Sequence, residues 1–337
     1  MPKHQNIIII GFGSSACAAA LNSLLLGRSV TILAGTKVKN DKQSEDRPSE
    51  SIHPGLLSLL DHLNCGSMPV NCKRGVYENI LANGENTMLG KDSSGVWEGV
   101  HIDKEIFLCF LRDKVVKGRV EIYYKNAAEL LSNNGRIVGV TTDDGIEYFC
   151  DYVIDGSGRF HFSARELALK REYFSPPLVC WSGVTKDILP EIFEKINTSF
   201  TSNGWSWTWL APENNGNCTW TRLSLKGQSD FKPPKLLEEF QNSTPIVFTM
   251  RWHLFRPVAV RGLLICGDAA GVIDPAAGQG IFYSMLSAIA AIETIDRCLK
   301  SPESENAFLM EYDHWFVSQY MTKVDRLRDY YNKSNLH

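Results

Sequence analysis

The chain has 337 residues, a length that corresponds to two average domains of about 150 residues or to one large domain with an insertion. Hydrophobic residues make up 44% and charged residues 22% of the chain, which excludes a disordered or fibrous protein. The 35 basic and 38 acidic residues give a net charge of −3, which argues against a dedicated nucleic-acid-binding protein.

The N-terminal segment has the pattern of a strand, a glycine turn, a helix and a second strand. Four isoleucines, Ile7–Ile10, are typical of a parallel strand that is buried on both faces. The turn GFGSSA follows, and a helix rich in alanine and leucine leads to a strand at Val30–Leu33. This arrangement predicts a dinucleotide site, in which the helix N-terminus offers free N–H groups to phosphate. The residues of the GxGxxA fingerprint are Gly11, Gly13, Ser14, Ser15 and Ala16.

The same segment has one alternative reading. Residues 7–26 carry no charge, so a signal peptide or membrane anchor has to be weighed. Glycine and serine residues and Asn22 interrupt the apolar run, and these polar breaks favour the strand–turn–helix reading.

The fingerprint lacks its acidic residue. An aspartate or glutamate usually ends the second strand and binds the ribose hydroxyls, but Ala34 and Gly35 occupy these positions. The sequence therefore predicts that another group binds the ribose and that the affinity for the dinucleotide is moderate. A glutamate at position 34 is predicted to tighten binding.

The rest of the chain divides into recognisable elements. Residues 36–47 are predicted to form a polar loop, residues 55–63 a helix, residues 70–100 a strand-rich region and residues 103–117 a helix. Strands are predicted at 120–124, 137–142 and 147–154. Residues 167–255 are rich in aromatic residues and predict an antiparallel sheet over a pocket. A buried strand at 258–267, a long alanine-rich helix ending near residue 299 and a helix over 304–331 complete the prediction.

Three separated motifs carry the chemistry. They are GFGSSA at 11–16, DGSGR at 155–159 and GDAAGVIDPAAGQG at 267–280. In this order they resemble the FAD-dependent hydroxylase superfamily of the p-hydroxybenzoate hydroxylase type, which includes the flavin-dependent tryptophan halogenases. The resemblance covers roughly residues 7–64, 100–160 and 255–331. It implies an α/β fold, with a Rossmann-like FAD-binding domain and an antiparallel-sheet substrate domain.

The resemblance implies FAD as the cofactor. Asp268 matches the aspartate that the family places against the ribityl chain and the phosphates, and the turn from Pro275 matches the segment beneath the isoalloxazine ring. Lys104 stands where the family usually has arginine, which keeps the charge but loses the bidentate fork. The implied cofactor-binding residues are Gly11, Gly13, Ser14, Ser15, Ala16, Arg47, Glu50, Ser51, Asp155, Gly156, Arg159, Gly267, Asp268, Pro275, Gly278, Gln279 and Gly280.

Two further groups of residues are candidates for substrate contact and catalysis. Trp205, Trp207 and Trp209 resemble the halogenase WxWxIP motif, although the Ile-Pro of that motif is replaced. Their spacing of two also fits a buried sheet face, so core packing and a pocket wall both stay open. Lys73 resembles the halogenase lysine, with an exposed structural lysine as the alternative, and His53 is a second catalytic candidate.

The resemblance also suggests how the chain is organised. The FAD-binding domain is discontinuous, over residues 1–64, 99–166 and 256–300, with a substrate or partner region at 65–98 and 167–255 and a C-terminal helix at 301–337. Halogenases of this superfamily are considerably longer, so this small substrate region predicts an open active site and a bulky substrate. The whole chain resembles most the LodB- and GoxB-type flavoproteins, which mature quinoprotein amino-acid oxidases by acting on a tryptophan of a precursor protein.

The predicted function is an FAD-dependent monooxygenase that hydroxylates a tryptophan side chain of a precursor protein during cysteine tryptophylquinone biogenesis. The alternatives are a halogenase or hydroxylase of a free small aromatic, a prenyl-chain reductase and a flavin-binding protein without activity. A second glycine-rich fingerprint is absent, so NAD(P)H would bind transiently or act through a separate flavin reductase. The Trp205–Trp209 strand and residues 65–98 are the predicted docking edge for the precursor.

Other partners and the cell compartment follow from composition. Neither nucleic acid, a membrane nor a metal is predicted as a partner. The nine cysteines are scattered and none stands in CxxC spacing, which indicates reduced thiols and a cytoplasmic location.

Overall fold

A computed structural model describes residues 6–36, 46–93, 95–227 and 232–333. Most of the polar loop predicted at 36–47 lies outside the described residues. The α-helices are α1 (Ser14–Leu25), α2 (Leu56–His62), α3 (Lys104–Lys117), α4 (Phe162–Glu166), α5 (Pro190–Phe193), α6 (Gly280–Lys300) and α7 (Glu305–Lys333).

The strands fall into two long series along the chain. The first comprises β1 (Asn6–Ile10), β2 (Ser29–Leu33), β3 (Glu50–Ile52), β4 (Lys73–Tyr77), β5 (Asn79–Ala82), β6 (Glu85–Met88), β7 (Lys91–Asp92), β8 (Gly95–Val96), β9 (Gly99–Ile102), β10 (Glu121–Tyr123), β11 (Ala127–Asn133), β12 (Arg136–Thr142), β13 (Glu147–Phe149) and β14 (Tyr152–Asp155). The second comprises β15 (Lys170–Tyr173), β16 (Leu178–Lys186), β17 (Ser199–Asn203), β18 (Ser206–Pro212), β19 (Cys218–Leu225), β20 (Gln241–Asn242), β21 (Ile246–Met250), β22 (His253–Arg256), β23 (Ala259–Val260), β24 (Leu263–Ile265) and β25 (Gly271–Val272).

A six-stranded sheet, the central sheet, has the strand order β10-β2-β1-β14-β24-β23. Its strands are parallel except β23, which pairs antiparallel with β24. The isoleucines of β1 are buried, and the fully buried alanines of α1 let that helix pack closely on the sheet and on α6. The carboxyl ends of β1, β14 and β24 therefore meet at one edge, where α/β sheets bind their ligands.

Two predicted strands are each divided in the structure. Residues 147–154 form β13, in a hairpin sheet with β12, and then β14 in the central sheet. Residues 258–267 form the antiparallel pair β23 and β24, because the chain turns back at Gly262, whose φ is +79°. Continuous apolar composition indicates burial, but it does not specify where a strand changes its partner.

A second large sheet, the cap sheet, has the order β20-β16-β19-β18-β17-β5-β6, and β21 also pairs with β16. Its pairs are antiparallel apart from β17 with β5, which confirms the predicted antiparallel sheet. Residues 65–98 contribute strands to two sheets. β4 pairs with β9 in a three-stranded sheet of the order β3-β9-β4, while β5 and β6 belong to the cap sheet.

The two faces of the cap sheet have different neighbours. The inner face packs towards Ile273 and Ala276 with the side chains of Leu178, Cys180, Trp207 and Leu223. The outer face carries Val179, Trp181 and Trp220 and is covered by residues of 188–196 and 237–240. The inner face is therefore the one that covers the 267–280 motif.

Candidate active site

The three glycine-containing motifs meet at the carboxyl edge of the central sheet. Gly11 has a φ of +101°, and a Cβ there would lie 2.5 Å from the carbonyl oxygen of Gly156. A Cβ on Gly156 would lie 3.3 Å from the Cβ of Ala16, which explains why a small residue stands at that position. A Cβ on Gly267 would lie 3.0 Å from the Cβ of Ser284 in α6. The glycines thus allow backbones to approach that side chains would hold apart.

The start of α1 fits the pyrophosphate of a dinucleotide. Gly13 is the N-cap residue, and the first turn has neither a side-chain cap nor an acidic residue. Within the described part of the chain, a Cβ on Gly13 would meet no atom within 4 Å, so the space in front of the helix N-terminus is open. Ser14 Oγ lies 2.7 Å from Ser284 Oγ, while Ser15 and Ala16 are buried. Free N–H groups beside open space are what a phosphate group requires.

Four partly exposed charged side chains from four separate segments lie close together, and we call the space beside them the cleft. Lys104 Nζ lies 2.6 Å from Glu50 Oε1, and Arg159 Nε lies 3.9 Å from Asp268 Oδ2. These side chains are between 42% and 59% exposed. The carboxylate of Glu50 raises the pKa of Lys104, whereas burial raises the pKa of Asp268 against the opposing effect of Arg159 and Lys104. The cleft therefore offers cations to phosphate and a carboxylate to sugar hydroxyls.

Two of the implied cofactor residues make contacts within the protein. Asp155 is fully buried, and its two carboxylate oxygens accept hydrogen bonds from the backbone amides of Ser157 and Ser163 at 2.8 and 2.7 Å. This position indicates that Asp155 shapes the loop that presents Arg159, and not that it touches the cofactor. Arg47 Nη1 lies 3.9 Å from Glu105 Oε1, in the first turn of α3.

A buried carboxylate anchors the turn that precedes α6. Asp274 is 2% exposed and accepts hydrogen bonds from Trp207 Nε1 at 3.1 Å, Trp252 Nε1 at 3.2 Å and the Tyr331 hydroxyl at 2.8 Å. It also accepts the backbone N–H of Ala276. Burial raises its pKa to about 6. Sequence reasoning missed this residue, although its place before Pro275 in the third motif was a signal.

The tryptophans of β18 point inward. Trp207 is 3% exposed and reaches Asp274, and Trp209 Nε1 donates to Ser51 Oγ at 3.0 Å. Ser51 Oγ also lies 2.9 Å from His101 Nδ1, and burial lowers the pKa of His101 to about 3. Because β18 lies between β17 and β19, it is a central strand with no free edge for a partner strand, and its predicted part in docking stays a prediction. Both interpretations made for these tryptophans, core packing and pocket wall, fit this inner face.

Trp205 precedes β18 and also faces inward. Its ring stacks on Tyr331 with centroids 4.8 Å apart, and it lies 5.4 Å from the ring of Trp252. The carbonyl oxygen of Ser51 would lie 4.0 Å from a Cβ on Gly278. The structure thus brings the Glu50–Ser51 segment, the tryptophan strand and the 274–280 turn together, although they are far apart in sequence.

The two catalytic candidates occupy different surroundings. Lys73 is exposed at the start of β4, and its neighbour Arg74 pairs with Asp103 at the N-cap of α3. His53 is half-buried beside α6, where its ring lies 4.9 Å from that of Phe282 and its Nδ1 accepts the N–H of Gly55 at 3.0 Å. Burial lowers the pKa of His53. A catalytic role for either residue stays a prediction.

Polar groups stand near the end of β2, where the fingerprint acid is missing. Ala34 is only 5% exposed and Gly35 has a φ of +80°. The next residue, Thr36, donates its backbone N–H to Asn126 Oδ1 at 3.1 Å, and Asn126 Nδ2 donates to Asp143 Oδ2 at 2.7 Å. These side chains are candidates for the ribose-binding group.

The described residues contain no group of histidine, cysteine and acidic residues that could hold a metal ion. Over the same residues, no helix is long and apolar enough to cross a membrane. A depression of about 500 Å³, lined by residues that include Asn6, Arg28 and Glu121, lies at the amino ends of the central strands. It is on the opposite edge from the glycine motifs and is separate from the candidate site.

The chain is similar in sequence to known proteins. A family model described as tryptophan halogenase matches residues 78–335. The digeranylgeranylglycerophospholipid reductase of Methanoculleus marisnigri is 24% identical to this chain, over 97% of the chain and 85% of the reductase.

Two solved structures show the shared fold. A triple mutant of the flavin-dependent brominase Bmp2 superposes with a TM-score of 0.80 at 16% identity, covering 99% of this chain and 90% of the brominase. The peptidyl tryptophan dihydroxylase QhpG, which is essential for tryptophylquinone cofactor biogenesis, superposes with a TM-score of 0.69 at 18% identity, covering 98% of this chain and 76% of QhpG. The brominase is therefore close to this chain in length, whereas 95% of this chain covers only 63% of the flavin-dependent halogenase CmlS. The expected difference in length holds for the second protein and not for the first.

Proposed function

The chain belongs to the tryptophan halogenase family and is an FAD-dependent oxidoreductase, and on this premise we propose that it hydroxylates a tryptophan side chain of a partner protein. The likeness to the peptidyl tryptophan dihydroxylase supports a protein substrate. The finer proposal is that the product serves the biogenesis of a cysteine tryptophylquinone cofactor, as in the LodB- and GoxB-type flavoproteins.

The cofactor residues follow from the geometry of the cleft. We infer that the N-terminus of α1 at Gly13 holds the pyrophosphate, that Lys104 and Arg159 neutralise phosphate charge and that Asp268 accepts sugar hydroxyls. Gly278, Gln279 and Gly280 at the start of α6 would face the flavin ring. When bound and reduced, FAD supplies the electrons that activate O₂.

One observation carries the proposal: the cap sheet is tied to the cofactor side by indole N–H groups. Trp207 donates to Asp274 and Trp209 donates to Ser51, so the aromatic inner face of the cap is held over the 274–280 turn. An aromatic wall fixed in this way can orient an electron-rich ring and shield one side of the site from water. The cleft beside it stays open at the charged residues, which suits a side chain delivered by a larger molecule.

The test uses the purified, FAD-loaded enzyme, a chemical reductant and O₂. Candidate precursors, encoded beside the enzyme, are compared with free tryptophan, and the products are analysed by mass spectrometry. We expect one or two added oxygen atoms on a precursor tryptophan and none on free tryptophan. Replacing Trp209 by Phe should lower this yield while FAD content is kept. Efficient oxygenation or halogenation of the free amino acid would contradict a protein substrate.

A second candidate function is reduction of a prenyl chain, which is favoured by the similarity to archaeal digeranylgeranylglycerophospholipid reductases over nearly the whole chain. The two functions differ in their need for oxygen. A prenyl reductase consumes its reductant without O₂ and saturates a double bond, whereas the hydroxylase requires O₂. Anaerobic turnover with a geranylgeranyl lipid would therefore favour the second candidate.

A further inference from the structure

One edge of the cap sheet is open and apolar. Among the described residues, β21 pairs with β16 and has no strand on its other side. Its sequence, IVFTM, carries no charge, and Ile246 and Val247 are 51% and 46% exposed. The opposite edge of the same sheet, β6, begins with Glu85 and is polar at most positions. Natural proteins protect edge strands with charge, so an unprotected apolar edge indicates a place for a partner strand.

The open edge leads to the candidate active site. The paired strands β16 and β21 continue along the chain into β15 and β22. Beyond β22 the next strand is β25, with Val272 opposite His253, and β25 runs directly into Asp274. A strand added beside β21 would lie in line with β25, with its end at the turn that precedes α6.

Side-chain direction agrees with this placement. Phe248 and Met250 of β21 belong to the inner face of the cap sheet, together with Trp207 and Ile273. Successive residues of a strand point to opposite faces. Every second side chain of an added strand would therefore point to the inner face, where the aromatic wall lies.

A positively charged surface borders the same edge. Two arginines lie over aromatic rings: Arg251 is 4.0 Å from the Tyr173 ring and Arg171 is 4.6 Å from that of Phe255. Arg159, assigned above to the cofactor, lies 4.6 Å from the Phe248 ring of β21 and is not counted with them. The rings of Tyr173, His253 and Phe255 are themselves in contact, so Arg171 and Arg251 form one arginine–aromatic patch. A patch of this charge attracts an acidic segment and disfavours a basic one.

We propose that β21 is the docking strand for an extended, acidic segment of the protein substrate, which adds to the cap sheet and turns its tryptophan towards the 274–280 turn. Main-chain hydrogen bonds to β21 provide affinity, and the arginine–aromatic patch provides selection for acidic residues. This inference rests on the proposed function, because it concerns how that substrate reaches the site. It places the docking edge at β21 in place of the Trp205–Trp209 strand and residues 65–98.

The test measures binding by fluorescence anisotropy with the FAD-loaded enzyme. The probe is a short labelled peptide in which one tryptophan is flanked by alternating valine and glutamate, and a counterpart carries lysine in place of glutamate. Two further versions of the acidic peptide carry N-methyl groups on every second residue, in one register or the other. N-methylation removes backbone donors without changing the side chains, so only the register that faces β21 should lose binding.

We expect the acidic peptide to bind about tenfold more tightly than the lysine counterpart, since a few exposed ion pairs contribute this much. Arg171→Glu should weaken the acidic peptide several-fold, and Lys117→Glu on α3 is the matched control that should leave binding unchanged. Equal binding of both N-methylated registers, or failure of the acidic peptide to bind at millimolar concentration, overturns the proposal.

Oxygenation of the peptide tryptophan is measured separately, so that the two proposals fail differently. Register-dependent binding without oxygenation supports the docking strand and contradicts the proposed function. Oxygenation that is the same for both N-methylated registers supports a peptidyl substrate and overturns docking at β21.

Discussion

Two aspartates of the 267–280 motif show how surroundings decide the role of a residue. Asp268 opens into the cleft 3.9 Å from Arg159, where its carboxylate is free to accept hydroxyl groups of a ligand. Asp274 is buried and is fully used by two indoles, a phenol and a backbone amide. We therefore assign Asp268 to cofactor binding and Asp274 to holding the turn that the cofactor meets.

Asp268→Ala is expected to lower FAD affinity about ten- to hundredfold, because a hydrogen bond to a charged group contributes about 1.5–3 kcal/mol. FAD released from purified protein and titration of apo-protein with FAD measure this change. Asp113→Ala is the control, since Asp113 is an exposed aspartate that pairs with Lys117 within α3. Equal FAD content in both variants would contradict the assignment.

Ala34→Glu is expected to weaken FAD binding, which reverses the expectation from the sequence alone. Ala34 is buried at the end of β2, so a glutamate there loses hydration or distorts the strand end. Apo-protein titration with FAD measures the change. Tighter binding in this variant would show that the side chain reaches the ribose without burial.

The pH dependence of stability reports on Asp274. Burial raises the pKa of this carboxyl from 3.8 to about 6, so the folded protein binds more protons than the unfolded chain between these values. Its contribution to the free energy of unfolding therefore falls as pH rises through this window, by a few kcal/mol at most. Denaturant unfolding at several pH values should show this fall in the wild type but not in Asp274→Asn. The same dependence of the unfolding free energy on pH in both proteins would contradict this role of Asp274.

At the scale of elements, α7 joins the central sheet to the cap sheet. Near its start Glu305 pairs with Arg136 beside the central sheet, and Tyr312 and Tyr320 donate to the carbonyls of Ile265 and Val272. Near its end Tyr331 reaches Asp274, and the Tyr330 hydroxyl lies 2.8 Å from Ser202 Oγ in β17. The helix therefore fixes where the cap lies over the 274–280 turn.

Tyr331→Phe is expected to cost about 1–3 kcal/mol in the free energy of unfolding, because it removes a donor from a buried carboxylate. Tyr330→Phe is the neighbouring control, and it should cost less because its hydroxyl bonds neutral groups near the surface. Chemical denaturation compares the two variants with the wild type. Equal losses of unfolding free energy in the two variants would indicate that the hydrogen bond to Asp274 contributes no more than that of an exposed tyrosine.

At the scale of the whole molecule, an open cleft predicts that the enzyme needs its partner to finish the active-site wall. Reduced enzyme alone should convert most of the O₂ that it consumes into hydrogen peroxide, because water reaches the reacting atoms. Docking of the precursor should lower the peroxide fraction. Paired measurements of O₂ consumption and peroxide test this, with free tryptophan as the control. Tight coupling with free tryptophan alone would contradict the prediction.

The sequence by itself determined the cofactor half of this protein. Its motifs are local, and Gly11 and Gly13 lie in a turn directly after a β-branched strand. Parallel strands bring the turns at their carboxyl ends to one edge of the sheet. The family and FAD followed from three such motifs in order. Local spacing was sufficient because the backbone conformation that each motif needs is formed by residues adjacent in sequence.

Only the tertiary structure decided how the cap meets the cofactor side. Asp274 gathers Trp207, Trp252 and Tyr331 from three distant parts of the chain, and no local pattern encodes such a meeting. A period of two showed that Trp207 and Trp209 share a face, but not that their strand is central or that the face is turned inward. The open edge at β21 is likewise a property of sheet order. Periodicity reports burial, whereas the partner of each strand depends on contacts between distant segments.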